Sequence, residues 1–290
     1  MSTTDGAVVA QTKPWTSRNG YLVMLAMPCL LLAVFFVWPM VGVFIRSFTD
    51  PTLTIDNYVE VFERPAFLRV LWNTLVVAST VTIVCLLISY PVAAVVAGFQ
   101  GGLLNLCFAL ILIPFWTSTV IRTYAWMVLF QRNGVLNGFL QQMGIIDQPL
   151  ALMRNFIGVQ IGMVHVLLPF MILPLLSTLR NIDPVYMRAA GVLGANPVRS
   201  FLHVYLPLSM PGISAGVMLV FINALGFFIT PALLGSERQM MIAMLIEQQV
   251  SVTLNWGLAS ALSTLLLVVT IGLYFLYERI QRRASAGALG

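Results

Sequence analysis

The string Gly212-Ile-Ser214-Ala-Gly216 has the spacing of a nucleophile elbow, which presents a serine hydroxyl on a tight strand-to-helix turn for attack on a carbonyl. Such a serine needs an imidazole to accept its proton and an acid to orient that imidazole. His165 and His203 are the two histidines, and no acid lies in the adjacent apolar runs. The string also falls inside an apolar run of helical length. There the same glycines read as a Gly-xxx-Gly face for close helix packing, a spacing that Gly158 and Gly162 repeat. Nucleotide hydrolysis is excluded on other grounds. A phosphate loop needs Gly-Lys-Ser/Thr, and the single lysine, Lys13, stands in a polar tail with no glycine directly before it. Cys29, Cys85 and Cys107 lie in apolar runs without metal-ligand spacing and read as packing thiols. Too few His, Cys and acidic residues stand at ligand spacing for a metal site.

Polar side chains inside long apolar runs are the remaining candidates, because they are costly there unless they face protein or water. Asn73, Asn105, Trp116, Thr117, Ser118, Arg122, Tyr124, His165 and Asn223 are the ones to name. Asn73, Trp116, Thr117, Arg122, Tyr124 and Asn223 are the candidates for a solute pathway. Arg122 is the one charged group among them, and a central Arg costs roughly 2.5–3.5 kcal/mol to insert. Two readings stand for it: snorkelling to the outer interface, or lining a pathway where it pairs with a carboxylate or phosphonate on a solute. His165 reads as a packed, hydrogen-bonded residue.

The elements that must hold these residues are membrane helices. Of 290 residues 59% are apolar and only 9% charged, far less charge than a soluble protein of this length carries. Apolar runs near 21–45, 70–98, 103–122, 156–178, 207–233 and 257–277 each approach or exceed the roughly 20 residues that cross the hydrocarbon. The first is too long for the core of a cleaved signal peptide and reads as a retained helix. The net charge of +5 comes from arginines scattered over short loops, which is no footprint for nucleic acid. The expected organisation is a tail over 1–20, a membrane domain over 21–278 and a second tail over 279–290, with external segments at 46–69 and 131–155. Six spans place both termini on one side. The basic residues divide almost evenly between the two faces, but the cluster Arg279, Arg282 and Arg283 favours a cytosolic C-terminus.

The segment 180–206 is patterned beyond what a connector needs. Asp183-Pro184 is a helix start, with the carboxylate as cap and proline in the first turn. A short helix is expected over Val185–Leu193, broken by Gly194 and Asn196-Pro197, and a second over Val198–Tyr205. Two short helices joined at a glycine would make a knob that fits a cleft on a partner.

Arg188-Ala189-Ala190, then Gly194, then nine residues and Val204-Tyr-Leu206-Pro207, resembles the EAA loop of permease subunits of bacterial ABC importers. That pattern is Glu-Ala-Ala, three residues, Gly, nine residues, Ile-x-Leu-Pro. Arg188 departs from it and reverses a charge. Asp56-Asn57-Tyr58, Asn73-Thr74, Pro114-Phe-Trp-Thr-Ser with Ile121-Arg122-Thr-Tyr124, Thr230-Pro231-Ala-Leu-Leu-Gly235 and Asn255-Trp256-Gly257 are similar to the spermidine/putrescine branch. The resemblance implies an all-α integral membrane protein of six transmembrane helices with type I importer permease (MetI-like) architecture. It implies a multi-pass inner-membrane location, both termini cytosolic and the loop 180–206 docked on an ATPase. It further implies a second permease, an ATPase dimer and a substrate-binding protein as partners, with ATP and magnesium on the ATPase and no cofactor on this chain. The solute would be a small nitrogen-containing compound, a polyamine or one of the opines, amino acids or aminophosphonates that the branch also serves. A polycation pathway is expected to show buried carboxylates, yet the expected spans contain no Asp or Glu. A stand-alone secondary transporter would need ion-coupling acids or internal symmetry, and neither is evident.

Overall fold

A computed structural model describes the backbone from Arg18 to Gly287 and the side chains from Met24 to Arg279. All regular structure among the described residues is helical. Five helices are long and apolar enough to span a membrane, with a sixth if the bent pair Gly101–Trp116 and Thr119–Gln142 is one span.

The first span is α1 (Arg18–Leu32), a π turn (Ala33–Val37) and α2 (Trp38–Thr49). None of its most apolar stretch is buried within the chain, so those side chains face lipid or another polypeptide. The π turn has a cause in Pro39. Proline lacks an N–H and its ring presses on the carbonyl four residues back, here Phe35. Widening that turn relieves the clash without ending the helix.

Three helices make the core: α4 (Pro65–Ala97), α8 (Phe156–Arg180) and α11 (Leu206–Leu225). Val77, Val81 and Cys85 of α4 interlock with Met163, Leu167, Met171 and Leu175 of α8 and with Val220 and Ala224 of α11. At 33 residues α4 is about 50 Å long, well beyond the hydrocarbon thickness. Helix α8 starts where the Asn155 side chain accepts a hydrogen bond from the Gly158 amide at 2.8 Å.

The expected span 103–122 is not one straight helix. Helix α5 (Gly101–Trp116) meets the stretch Thr119–Gln142, which begins with α6 (Thr119–Phe130), at 94°. Pro114 weakens the last turn of α5, Thr117 and Ser118 adopt extended backbone, and the Thr117 hydroxyl donates to the Pro114 carbonyl at 3.1 Å. That hydroxyl satisfies a helix-end carbonyl that would otherwise lack a partner. A short α7 (Val135–Gln142) follows.

The expected span 207–233 is displaced towards the N-terminus. A helical rod runs from α10 (Pro197–Ser200) through a second π turn (Phe201–Tyr205) into α11 and stops at Leu225. The second short helix expected at Val198–Tyr205 is thus the first part of this rod. Again a proline follows the π turn, Pro207, four residues after His203. Gly226 closes α11, and Pro231 could not continue it without meeting the Phe227 carbonyl. A separate short α12 (Ile229–Leu234) packs on α6 and α8 instead.

Helices α3 (Asp56–Glu63), α13 (Ile242–Ser251) and α14 (Trp256–Gly287) close the far end around Val61, Phe67, Val70, Ile242, Leu245, Leu258 and Leu262. Side-chain hydrogen bonds pin it. The Asn57 amide donates to the carbonyls of Ser47 at 3.2 Å and Asp50 at 2.9 Å. Tyr58 and Ser47 share a hydrogen bond of 2.7 Å. A Cβ on Gly257 would press into the Asp50 carbonyl and the Asn57 amide, so only glycine lets α14 pass here. The Ile242 amide donates to the Thr74 hydroxyl at 2.9 Å, and the Asn73 amide donates to the Arg238 carbonyl at 2.8 Å. Asn57→Ala leaves two carbonyls without their donor and is expected to cost about 1–3 kcal/mol. A lowered thermal midpoint of the detergent-purified protein checks this, and an unchanged midpoint would contradict it.

Candidate functional site

The loop end of the bundle carries α9 (Pro184–Val192). The Asp183 carboxylate accepts from the Val185 amide at 2.8 Å, so the helix begins where the residue types demand. It ends in a Schellman motif: the Gly194 amide donates to the Gly191 carbonyl and the Ala195 amide to the Ala190 carbonyl, both at 3.0 Å. Gly194 has φ +83°, a left-handed backbone that glycine enters without penalty, and a Cβ there would touch nothing within 4 Å. Asn196 then caps the rod, its side chain accepting from the Arg199 amide at 2.8 Å.

The result is a bent finger with an apolar tip. Val192 and Leu193 are each 88% exposed, and Val185, Tyr186 and Val198 are exposed beside them. Arg188, Ala189 and Gly194 are exposed, whereas Ala190 is buried where α9 lies against the second π turn. Val204, Leu206 and Pro207 belong to the π turn and first turn of α11, so they form the finger's second arm rather than its tip. The finger's base is braced. Tyr90 of α4 shares a hydrogen bond of 3.1 Å with Ser209 and meets Phe201 edge-on at 6.0 Å, and Arg180 donates to the Phe99 carbonyl at 3.4 Å. Displacing α9 therefore loads α11 and α4 together. Tyr90 and Phe201 gave no signal in the sequence, where they are two aromatics among many.

A cavity of about 370 Å³ opens at the α5–α6 break. Thr117, Ser118, Thr119 and Arg122 line one side, and Asn223 and Phe227 from the end of α11 line another. The structure thus brings together three of the six pathway candidates, Thr117, Arg122 and Asn223. Asn73 is engaged with the Arg238 carbonyl elsewhere, Trp116 is 89% exposed on the surface, and Tyr124 is exposed as well. Arg122 turns back towards the start of its own helix, where Nη2 donates to the Thr119 hydroxyl at 3.3 Å. Its Nε is buried without a partner among the described residues. His165 accepts a hydrogen bond at Nδ1 from Trp126 Nε1 at 3.2 Å, an assigned geometry that fits neutral imidazole protonated at Nε2.

The elbow-like string is a packing face. Gly212 lies against Thr178 and Pro174, and Gly216 against Met171, while the Ser214 hydroxyl donates to the Pro211 carbonyl at 3.0 Å within its own helix. Ser214→Ala is expected to leave solute uptake within about twofold, because the hydroxyl is turned to the Pro211 carbonyl of its own helix and such a back-bond adds little to helix stability. An uptake assay checks it.

Fold, finger and cavity describe a multi-pass membrane protein with an exposed apolar finger at one end. The chain belongs to the family of binding-protein-dependent transport system inner membrane components, whose pattern matches residues 12–286. It is 39% identical over 230 residues to the spermidine/putrescine transport system permease protein PotB of Haemophilus influenzae, covering 79% of this chain and 80% of that one. It is 35% identical over 236 residues to PotB of Escherichia coli, covering 81% and 86%. In fold it is similar to a chain of a bacterial alginate ABC transporter solved in complex with an alginate pentasaccharide-bound periplasmic protein, with TM-score 0.77, 19% identity and 92% and 95% coverage. The chain is a permease subunit of an ABC importer, located in the inner membrane, and not an enzyme.

Proposed function

We propose that this subunit imports a polyamine or a related amino compound, moved by an ATPase dimer that grips the α9 finger. The observation that carries the coupling is the exposed apolar tip Val192-Leu193 on a finger continuous with the rod Pro197–Leu225. Exposed apolar groups on a segment facing water mark a docking surface. Closing a cleft around α9 would drag the rod and, through Tyr90, α4. Hinges at the π turns and at the α5–α6 break would let the bundle open alternately to either side. This reading places the finger and both termini in the cytosol, with ATP and magnesium on the ATPase, and a second permease across the pathway. A substrate-binding protein would deliver the solute from outside. The kind of solute is supported by the names of the two PotB relatives. Arg188 would meet an acidic residue on the ATPase.

The test is to express the chain with its genomic neighbours, purify it by a terminal tag in mild detergent and identify what comes with it. A nucleotide-binding subunit and a second membrane subunit are expected, and the co-encoded binding protein should bind putrescine or spermidine. A chain that purifies alone and monodisperse, or a binding protein that prefers a sugar or a metal complex, would overturn the reading.

A further inference from the structure

We propose that the Arg122 cavity is a binding site for one oxyanion group, a carboxylate or phosphonate. The proposal deepens the transport reading above, because it places an acidic group on the solute or beside it. Three observations converge. First, Arg122 lines the cavity with a buried Nε that has no partner among the described residues, where its side chain bonds only to nearby Thr119. A guanidinium with a free N–H edge is a fork for two carboxylate or phosphonate oxygens. Second, no carboxylate of the protein is there to answer it. The described spans contain no Asp or Glu apart from Glu278 near the far end of α14. Third, donors stand beside Arg122 in a wall that is otherwise apolar. Ser118, Thr119 and Asn223 line it, Asn223 keeping one N–H beyond its bond to the Leu219 carbonyl, and the first-turn amides of α6 start there without a side-chain cap. The helix end adds its partial positive charge on the same side.

A diamine in this cavity would set an ammonium against the guanidinium with no counter-charge. A solute carrying one amine and one acid would not. Putrescine and 4-aminobutyrate separate the cases, since both have four carbons and differ in one –CH2–NH3+ end replaced by a carboxylate.

The site is read first without transport. Inorganic phosphate and methylphosphonate are titrated into the purified complex in a maltoside detergent and followed by phosphorus NMR line broadening. Wild type should bind, Arg122→Gln should weaken binding at least tenfold, and Arg122→Lys should weaken it less. Asn223→Leu keeps the arginine, tests the same cavity from another helix and guards against a misfolded Arg122 variant. Equal binding by wild type, Arg122→Gln and Asn223→Leu overturns the proposal.

Uptake into proteoliposomes then separates the two sources. If the oxyanion belongs to the solute, 4-aminobutyrate is taken up and Arg122→Gln lowers its uptake at least tenfold without lowering that of putrescine. If it is a free ion, phosphate raises putrescine uptake by wild type and not by Arg122→Gln. Uptake of putrescine alone, indifferent to phosphate and to Arg122, overturns the proposal while leaving the transport reading intact. Binding that depends on Arg122 without ATP-driven uptake of either compound does the reverse.

Discussion

Gly194→Asp is expected to leave the subunit folded and inserted while weakening its hold on the ATPase and lowering ATP-dependent uptake at least tenfold. The argument separates backbone from surface. Position 194 sits at φ +83°, a region that Asp and Asn enter more readily than other side chains, and an added Cβ meets nothing within 4 Å. The local motif should therefore survive. What changes is the tip, where a carboxylate now stands next to Val192 and Leu193, the two most exposed apolar side chains of the finger. A charge taken into an apolar contact must lose water without a partner, at a cost of several kcal/mol. Each 1.4 kcal/mol of lost docking is about a factor of ten in occupancy. Gly194→Asn has nearly the same shape and no charge, and should retain most uptake. Parallel measurement of uptake and ATP hydrolysis in proteoliposomes gives the decision. Hydrolysis that persists while uptake falls marks uncoupling, and full transport by the Asp variant removes the finger from the mechanism.

The finger was legible in the sequence because its signals are local. Asp183 before Pro184, and Gly194 after an apolar pair, state a cap and a left-handed stop within a dozen residues. The six apolar runs were legible for the same reason, since length and hydropathy require no knowledge of neighbours. What was not legible depends on long-range contacts or on how prolines are accommodated. Proline inside a helix ordinarily signals a kink, yet Pro39 and Pro207 are each absorbed by a π turn just upstream that keeps the helix continuous. Pro114 looks no different in sequence, yet there the chain turns by 94°, because the extended Thr117 and Ser118 follow it. Asn73 reads as a pathway candidate because it is polar and at a span. Its hydrogen-bond partner is the Arg238 carbonyl, 165 residues away, and no local pattern names that contact. The motifs Asp56-Asn57-Tyr58 and Asn255-Trp256-Gly257 lie far apart in the chain but meet around the Asp50 carbonyl.

Gly212→Val is expected to separate α11 from α8 and lower the thermal midpoint of the purified subunit by about 5–10 °C, or to prevent its recovery. A Cβ at 212 would stand 2.7 Å from Thr178 Cβ and Oγ1 and 3.0 Å from the Pro174 carbonyl. None of these yields easily: Thr is stiff about χ1, and the carbonyl belongs to a buried helix. Gly216 is the milder case. Its nearest neighbour would be Met171 Sδ at 2.6 Å, the far end of a flexible side chain, although the Met171 carbonyl at 3.2 Å limits the relief. Gly216→Ala should therefore fold with a smaller loss of roughly 1–3 kcal/mol. Thermal scans by fluorescence-detected size exclusion rank the two variants, and equal midpoints would refute the packing account. On the proposed coupling the order matters for function, because α11 would be the rod that α9 moves. A seam of glycines brings it close to α8, where van der Waals contact rather than the hydrophobic effect holds helices together in lipid. Shape is then what keeps the pair in register when the finger is pulled. A variant that stays folded but loosens this seam should lose uptake before it loses assembly, the reverse of what a docking-face variant such as Val192→Ala should do.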